Sequence, residues 1–407
     1  MNMFYKKISA ILFHSTKNFK TWTRHLSVAA INGNFIVVQP KQSKSNIKFP
    51  AVWLRDNCQC NECFHKHTKS RTMNWERINH NVHVERVCAV NNVVNITWND
   101  KHESTFDLDW LLERDFSKDN RQRYIENVYK PAPRLWSKEE YVNVSKTFEY
   151  ADVANENEAL LSWLETLAIN GFALIKNAPD NKGVARDLAN RIGYIKRTTY
   201  GEEFEVKSKE NARNYAYLMK PLPLHTDMPY YEYKAGINIL HCYVQSVSTG
   251  GANLMTDGFY IAEKLKQNCP DYYNILKTTP VDWYDIGNDS GTDFYNIYRS
   301  PVICLDIDGQ YNRINHNTPK RDSHFTIPLE QVQSWYEAFD KFLELANKEA
   351  IEFKTRCGDV FTFNNLRMLH GRTAYEDSPS NKRHLIGAYV DWDIIYSKIR
   401  ILKMQKN

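Results

Sequence analysis

The segment LPLHTDMPY, residues 222–230, places His225 and Asp227 two positions apart. If the segment is a β-strand, this spacing directs both side chains to the same face, because side chains alternate along a strand. An imidazole and a carboxylate so placed can bind adjacent sites of one metal ion. His-x-Asp pairs are common by chance, so the interpretation depends on a third ligand elsewhere in the chain.

The candidate third ligand is His370, in the segment NNLRMLHGR, residues 364–372. An apolar strand at 359–363 leads into it, and Gly371 permits the backbone to turn directly afterwards. The alternative is a histidine that only caps the end of a strand. Two histidines and one carboxylate on one face of an iron(II) ion would leave positions open for oxygen and a cosubstrate.

Arg383 is the candidate anion-binding residue, at the start of the predicted strand RHLIGAYVD, residues 383–391. An arginine buried in a barrel requires an anionic partner, because an unpaired buried charge is very costly. Its planar guanidinium matches a carboxylate with two parallel hydrogen bonds. The distal carboxylate of 2-oxoglutarate is one such partner, and an internal Asp or Glu is the other.

The chain is long enough for two domains, with 407 residues, 42% of them hydrophobic and 25% charged. No run approaches the roughly 18–20 consecutive apolar residues of a membrane-spanning helix, so a membrane protein is excluded. Strands dominate residues 195–395, and Val332–Asn347 is the one helix expected after residue 195. The elements predicted before residue 195 are short strands at Phe35–Gln39 and Ala51–Leu54, a hairpin of Val93–Trp98 with Ser104–Leu108, a helix at Asn155–Asn170 that stops at Gly171, and a helix at about Val184–Ile192. The predicted fold is mainly β with flanking helices. The predicted domains are a small β-rich domain at 31–125, a linker at 126–150 and a large domain at 151–402.

Residues 1–30 form a basic leader, since no Asp or Glu precedes Asp56 in the chain. Lysines and Arg24 alternate there with apolar residues, a composition typical of a mitochondrial transit peptide. We therefore expect a mitochondrial location. The alternative is a basic tail on a cytoplasmic protein.

Cys58, Cys60 and Cys63 form a C-x-C-x2-C loop that can present three thiolates to one ion. Tetrahedral zinc needs a fourth nitrogen or sulfur ligand. Spacing alone leaves six candidates for it: His65, His67, His80, His83, Cys88 and His102. The alternative is three free thiols. A nucleic-acid-binding role is disfavoured, because no recognition helix follows the loop and the basic residues are not gathered on a helical face.

Six segments in a consistent order identify a family. They are AVWLRDNCQCNEC (51–63), WNDKHESTFDLDWL (98–111), LPLHTDMPY (222–230), STGGANLMTDGF (248–259), FNNLRMLHGR (363–372) and RHLIGAYVDWD (383–393). From about Phe35 to Leu402 the chain resembles the γ-butyrobetaine dioxygenase/trimethyllysine dioxygenase family of carnitine biosynthesis.

The resemblance implies a double-stranded β-helix (jelly-roll) oxygenase domain preceded by a small zinc-binding domain. It implies iron(II) bound by His225, Asp227 and His370, and 2-oxoglutarate bound by Arg383. It also implies His102 as the fourth ligand of a structural zinc ion, beside Cys58, Cys60 and Cys63. Ascorbate dependence and a homodimer are further expectations from the family.

The resemblance also implies a pocket for a trimethylammonium group, which cannot donate a hydrogen bond and is recognised by aromatic faces. The residues aligned with the family's aromatic cage are Tyr200, Phe204, Tyr217 and Tyr389. Phe204 departs from the family, which carries Trp at that position. Asn214 and Asn315 align with the residues at the other end of the substrate.

Two neutral amides at that end favour γ-butyrobetaine, which presents only a carboxylate there, and thus its hydroxylation to L-carnitine with release of succinate and CO2. The alternatives are a trimethyllysine dioxygenase, a paralogue acting on another betaine, and a catalytically silent binding protein organised by zinc.

Overall fold

The computed structural model describes residues 26–40, 45–72, 74, 76, 81–208, 217–289, 291–376, 378 and 380–406. Most of the predicted leader therefore lies outside the described residues. The chain divides into two compact units at Lys130 and Pro131. Within the described part of the chain, every helix is too short or too polar to cross a membrane.

The first unit contains two three-stranded antiparallel sheets, β1-β2-β3 and β6-β7-β8. Its strands are Leu26–Asn32 (β1), Phe35–Pro40 (β2), Ile47–Pro50 (β3), Phe64–His65 (β4), Ser70–Arg71 (β5), Val84–Val90 (β6), Val93–Trp98 (β7) and Glu103–Asp107 (β8). Its helices are Ala51–Asp56, Leu108–Leu112, Lys118–Tyr124 and the π-helix Ile125–Tyr129. The predicted hairpin of Val93–Trp98 with the strand after the next turn is confirmed as β7 and β8.

The segment 51–54, which we expected to be a strand, is the start of the helix Ala51–Asp56. Pro50 precedes the helix in an extended conformation, with φ −62° and ψ 135°. Ala51, Leu54 and Arg55 are the buried residues, a spacing that matches one helical face. A run of four apolar residues does not by itself distinguish a buried strand from a short buried helix.

The second unit contains a six-stranded sheet in the order β11-β22-β13-β20-β10-β9 and a four-stranded sheet in the order β12-β21-β14-β19. The strands are Thr147–Glu149 (β9), Phe172–Lys176 (β10), Glu203–Lys207 (β11), Leu222–His225 (β12), Ile237–Val244 (β13), Asn253–Asp257 (β14), Val281–Asp289 (β15), Thr292–Ser300 (β16), Ile303–Leu305 (β17), Tyr311–Ile314 (β18), Ile351–Phe353 (β19), Val360–Asn364 (β20), Met368–Arg372 (β21) and His384–Val390 (β22). All pairings in the two large sheets are antiparallel except β9 with β10. This two-sheet arrangement is consistent with the expected jelly roll.

The second unit also contains α-helices. They are Tyr141–Val144, Tyr150–Asn155, Asn157–Asn170, Val184–Ile192, Gly258–Asn268, Pro270–Thr278, Leu329–Lys348 and Trp392–Lys406, with 3-10 turns at Lys138–Glu140 and Thr318–Lys320. The helix predicted to stop at Gly171 does so, and Gly171 has the left-handed φ of 87° that favours glycine. The predicted helix at 184–192 is confirmed.

The expectation of a single late helix was wrong, because three more are present: Gly258–Asn268, Pro270–Thr278 and Trp392–Lys406. The first is capped by Asp257, whose carboxylate accepts a hydrogen bond from the Phe259 amide. The second begins with proline at its first position, where a missing N–H has no effect. Both signals are visible in the sequence. We did not predict helices from them, because the region was expected to consist of strands alternating with loops.

An ion pair between Arg367 and Asp257, both 0% exposed, links the two sheets. Arg367 lies in the turn between β20 of one sheet and β21 of the other, and Asp257 ends β14. The Arg367 Nε and Nη2 atoms donate to the two Asp257 oxygens at 2.9 and 2.7 Å. Removing either partner would leave an uncompensated buried charge, a change that typically costs about 3–5 kcal/mol.

Candidate active site

His225 and His370 lie directly opposite each other on the antiparallel strands β12 and β21. Their ring centroids are 4.2 Å apart. Asp227 completes the group, with its Oδ1 atom 3.3 Å from His225 Nε2 and 3.6 Å from His370 Nε2. One donor atom from each of the three residues lies within 4.8 Å of the others, a separation that allows one ion to contact all three.

The sequence predicted that Asp227 lies on the same strand as His225. This prediction was wrong, because β12 ends at His225 and Asp227 lies in a bend. Asn365 holds the bend in place. Its Oδ1 atom accepts a hydrogen bond from the Asp227 amide at 2.7 Å, and its Nδ2 atom donates to the Asp227 carbonyl at 3.0 Å. The adjacent ligand positions are therefore produced by a bend anchored in the β20–β21 turn, and not by strand alternation.

Hydrogen bonds orient two of the three donors. His225 Nδ1 is 2.9 Å from the Pro223 carbonyl, an arrangement that makes Nδ1 the donor and leaves Nε2 for a metal. The Asp227 Oδ2 atom accepts hydrogen bonds from Asn238 Nδ2 at 2.9 Å and from the Tyr389 hydroxyl at 3.0 Å. Asp227 Oδ1 is left facing the two imidazoles.

Burial sets the protonation state of the site. Burial and the neighbouring His225 lower the pKa of His370 to about 3, so its imidazole is neutral at physiological pH. Burial also acts to raise the pKa of Asp227, but His370, His225 and the Tyr389 hydroxyl outweigh it and leave that pKa below its usual range. A neutral imidazole and an ionised carboxylate are the forms that bind a metal ion.

We expected Gly371 to turn the chain. This expectation was wrong, because β21 continues through Gly371 to Arg372. A Cβ atom at this position would lie 2.5 Å from the Leu222 carbonyl oxygen of β12. Glycine is therefore needed for the close approach of the two strands that brings His225 and His370 together.

Arg383 is 3% exposed and lies one residue before β22. Among the residues that the structure describes, it forms no ion pair. Its Nη2 atom is 3.5 Å from Asn253 Oδ1, and its guanidinium lies 5.7 Å from the centre of the Tyr375 ring. A buried guanidinium without an acidic partner fits the predicted role of binding a carboxylate of a ligand.

A cavity of about 120 Å³ connects these groups, with lining residues from both sheets. Leu240 and Leu385 belong to the six-stranded sheet, while His225 and His370 belong to the other. Arg383 lines the same cavity, so a molecule bound to its guanidinium can reach the three-residue donor group.

The four aromatic residues predicted to recognise a trimethylammonium group, Tyr200, Phe204, Tyr217 and Tyr389, all line this cavity. Phe204 and Tyr389 stack with ring centroids 4.8 Å apart. Asn315 is not brought there. It is fully buried, and its amide donates to Ser300 Oγ and the Pro301 carbonyl, both at 2.8 Å. Asn214 lies outside the described residues.

The sequence did not single out Asn238, although this residue orients the Asp227 carboxylate. Asn238 lies on β13, in register with Tyr389 on β22, so the two residues reach Asp227 from adjacent strands. One signal was present, since Asn238 is a buried amide within the otherwise apolar start of the strand INILHCYV.

The first unit contains a second group of possible ligands. The Cys58, Cys60 and Cys63 sulfur atoms lie 3.3, 3.6 and 3.6 Å from His102 Nε2. Across the described ranges, this group and the His225 group are the two sets of His, Cys, Asp and Glu found close enough to share an ion. Of the other candidates, His65, His67 and His83 are exposed and His80 is not described.

His102 is positioned by the β7–β8 hairpin. Its backbone amide donates to Asp100 Oδ1 at 3.0 Å, and Asp100 in turn accepts from Arg55 Nη2 at 3.2 Å. Arg55 Nη1 also lies 3.5 Å from Cys63 Sγ. Burial raises the pKa of the Cys63 thiol and outweighs the Arg55 guanidinium, which acts to lower that pKa. Thiolates are the forms that bind zinc.

Two histidines and one carboxylate that can share a divalent ion, together with a buried guanidinium that can bind a dicarboxylate, are typical of non-haem iron, 2-oxoglutarate-dependent dioxygenases. This protein is an enzyme of that class. The family model described as "Taurine catabolism dioxygenase TauD, TfdA family" matches residues 129–389, and "Gamma-butyrobetaine hydroxylase-like, N-terminal" matches residues 38–112. The chain belongs to the γ-butyrobetaine dioxygenase/trimethyllysine dioxygenase family.

Individual relatives agree with this assignment. Gamma-butyrobetaine dioxygenase of Homo sapiens is 39% identical over 359 residues, which are 88% of this chain and 92% of the relative. The Pseudomonas sp. (strain AK-1) enzyme of the same name is 31% identical, covering 87% and 90%. Mitochondrial trimethyllysine dioxygenase of Bos taurus is 28% identical, covering 88% and 84%.

Similarity to solved structures is weaker. An asparagine oxygenase aligns with a TM-score of 0.45 and 12% identity, covering 61% of this chain and 93% of that one. At that level the likeness adds nothing to the assignment.

The close contact at Gly371 generates the first prediction. Gly371→Ala places a methyl group against the Leu222 carbonyl, so β12 must move away from β21 and His225 must separate from His370. We expect iron(II) affinity to fall by about 10–100-fold, the range typical for disturbed support of metal ligands. Titration of the metal-free protein with Fe(II) under anaerobic conditions measures the loss.

Gly183→Ala is the matched control. The nearest atom to a Cβ there is Asn181 Oδ1 at 3.5 Å, an ordinary contact, and its φ of −82° suits alanine. Equal iron affinity in the two variants would contradict the role assigned to Gly371.

Proposed function

We propose that this protein hydroxylates γ-butyrobetaine to L-carnitine, with iron(II) as cofactor and 2-oxoglutarate as cosubstrate, releasing succinate and CO2. The observation that carries the proposal is the position of Tyr389. Its ring lines the aromatic cavity, while its hydroxyl donates to Asp227 at 3.0 Å. A trimethylammonium group held by these rings would therefore lie close to the proposed iron ligands, because Tyr389 contacts both the cavity and Asp227.

His225, Asp227 and His370 would hold the iron ion, since two neutral imidazoles and one carboxylate are the donor set that non-haem iron oxygenases use. When bound, iron(II) would supply the activation of molecular oxygen: O2 is the oxidant, one of its atoms goes into the substrate hydroxyl group, and the other goes into succinate as 2-oxoglutarate loses CO2. The protein's own contribution is to keep the donors oriented. Asn238 and Tyr389 do so by occupying Asp227 Oδ2 with hydrogen bonds.

Arg383 would bind the distal carboxylate of 2-oxoglutarate. Its burial and the absence of an acidic partner among the described residues support this role, because a carboxylate ligand would neutralise the charge. Asn253, 3.5 Å away, is the side chain that positions the guanidinium.

The aromatic residues would bind the trimethylammonium end of the substrate by cation–π attraction. Stacking of Phe204 on Tyr389 keeps both rings in place at the cavity wall. Phe has a weaker quadrupole than the Trp of the family, so this position contributes less to affinity here. For the substrate carboxylate we assign Asn214, since Asn315 is bonded to Ser300 and Pro301 instead.

The substrate proposal is tested with the purified full-length chain, Fe(II), ascorbate and 2-oxoglutarate. We expect γ-butyrobetaine to stimulate succinate release and to gain one oxygen atom by mass spectrometry. The His225→Ala variant, which lacks one proposed iron ligand, should show neither. Turnover of trimethyllysine without turnover of γ-butyrobetaine would reverse the choice of substrate. Decarboxylation of 2-oxoglutarate that neither compound stimulates would indicate a different betaine.

We also propose that residues 31–125 form a zinc-binding domain and that 151–402 belong to the oxygenase domain. The linker predicted at 126–150 would be shorter, because residues from Pro131 onward belong to the second unit and supply β9 of its six-stranded sheet. Cys58, Cys60, Cys63 and His102 support the zinc site, because four ligands fill a tetrahedral ion and leave no position for substrate. The role of this zinc would be structural.

The zinc proposal predicts that His102→Ala loses bound zinc and lowers the unfolding temperature of the first unit, while iron binding persists. Elemental analysis of the purified variant and thermal unfolding measure the two effects. His83→Ala, a change at an exposed histidine nearby in sequence, is the control. Full zinc occupancy in His102→Ala would exclude His102 as a ligand.

A mitochondrial location is proposed for the whole protein. The acid-free, basic composition of residues 1–30 supports it, and the Bos taurus relative is named as mitochondrial. Residues 1–30 fused to a fluorescent protein should enter mitochondria, and a cytoplasmic signal would contradict the proposal.

The homodimer that the family resemblance implies stays a prediction, which light scattering can check.

A further inference from the structure

The cavity proposed to receive a cation contains a lysine in its wall. Lys320 lines the cavity together with Tyr200 and Tyr230. An ammonium group in that position would repel a quaternary ammonium substrate, because like charges close together in a partly desolvated cavity interact strongly. The chain must therefore neutralise Lys320 for the aromatic residues to bind a cation.

Asp285 supplies the neutralising charge. Its Oδ1 atom accepts a hydrogen bond from Lys320 Nζ, and its Oδ2 atom accepts one from the Tyr200 hydroxyl at 2.7 Å. Asp285 is 2% exposed and is not itself part of the cavity lining. One carboxylate behind the wall thus contacts both a cation and an aromatic residue of the wall.

Backbone contacts fix this arrangement. Asp285 lies on β15, and Lys320 ends the 3-10 turn Thr318–Lys320. The Asp322 amide donates to the Asp282 carbonyl at 2.8 Å, and Trp283 forms a bridge with Arg321. The strand that carries the carboxylate and the segment that carries the ammonium are therefore aligned by two main-chain contacts next to the ion pair, just before Asp285 and just after Lys320.

The same strand pair also packs on Tyr200. Phe294 of β16 contacts the Tyr200 ring edge-to-face, with centroids 6.1 Å apart. Burial, with the neighbouring Tyr200 and Asp285, raises the pKa of Tyr230, so its phenol stays protonated. The Tyr200 hydroxyl thus lies between the Asp285 carboxylate, to which it donates, and the Tyr230 hydroxyl, 3.5 Å away.

We propose that Asp285 is a positioning residue that determines specificity for a cationic substrate, by neutralising Lys320 and by holding the hydroxyl of Tyr200. The inference rests on the proposed function and extends it. Asp285 does not touch substrate. It sets the charge of the cavity wall, and it orients one ring of the aromatic surface.

The test compares Asp285→Asn with the wild type as iron-loaded full-length enzymes. Asparagine keeps the shape and one hydrogen-bond acceptor but leaves Lys320 with an uncompensated charge. We expect KM for γ-butyrobetaine to rise by about tenfold or more, from like-charge repulsion inside the cavity. KM for 2-oxoglutarate should stay unchanged.

An analogue that lacks the quaternary charge separates charge from shape. In 5,5-dimethylhexanoate a carbon atom replaces the quaternary nitrogen of γ-butyrobetaine, so size and carboxylate are retained, the positive charge is lost and the ligand is an anion. Its inhibition constant should not rise in Asp285→Asn, because an uncompensated Lys320 does not repel an anion. An equal rise in both constants would overturn the inference, because a purely structural role weakens both ligands alike.

The double variant Asp285→Asn with Lys320→Met removes both charges, and it should restore most of the lost affinity for γ-butyrobetaine. Asp282→Asn, the same change on the same strand at a residue outside the cavity lining, is the control and should leave KM as it is. A double variant as weak as the single one would also overturn the inference.

Failure of the inference and failure of the proposed function give different results. If wild type turns over γ-butyrobetaine and Asp285→Asn binds it equally well, the inference alone is wrong. If wild type neither binds nor turns over γ-butyrobetaine, the proposed function is wrong and the inference falls with it.

Discussion

The buried ion pair between Arg367 and Asp257 is the constraint on which the oxygenase unit depends. Besides Asp257, Arg367 donates to the carbonyls of Arg134 and Ile169, so each of its three guanidinium nitrogen atoms donates a hydrogen bond. Asp257 also accepts from the Trp136 amide at 3.1 Å and caps the helix Gly258–Asn268. Burying two charges is costly unless every donor and acceptor is matched, and here they are matched by segments from across the unit. The pair therefore specifies one arrangement of both sheets.

The same turn also assembles the candidate iron site. Asn365 binds both backbone groups of Asp227, and Arg367 lies three positions before His370. The turn Asn365–Arg367 therefore holds the bend that carries the carboxylate and starts the strand that carries one imidazole. Gly371 then allows β12 to approach with the second imidazole. Hydrogen bonds of the Asn365 side chain and the close packing of β12 on β21 therefore position the three donors.

Charge is distributed along the cavity in a way that matches its proposed ligands. Arg383 is a buried cation without an acid among the described residues, and it favours an anionic ligand. Lys320 is a cation paired with Asp285, and it leaves the aromatic wall neutral. The two cationic side chains thus differ in function because one has a carboxylate partner and the other does not.

The sequence by itself determined the features that depend on short spacing or local backbone preference. The thiol loop at Cys58–Cys63, the stop of a helix at Gly171 and the β7–β8 hairpin are of this kind, because a few consecutive residues set each one. The candidate ligands His225, Asp227 and His370 were predictable as residue types, and the family resemblance joined them. Tertiary structure alone decided how they meet: through the Asn365 bend and the Gly371 contact. It also decided that the Asn315 amide donates hydrogen bonds to Ser300 and Pro301 within the fold, that Asn238 supports Asp227 and that Asp285 neutralises Lys320. Each of these depends on the register of strands far apart in the chain, and residue order along the chain does not contain that register.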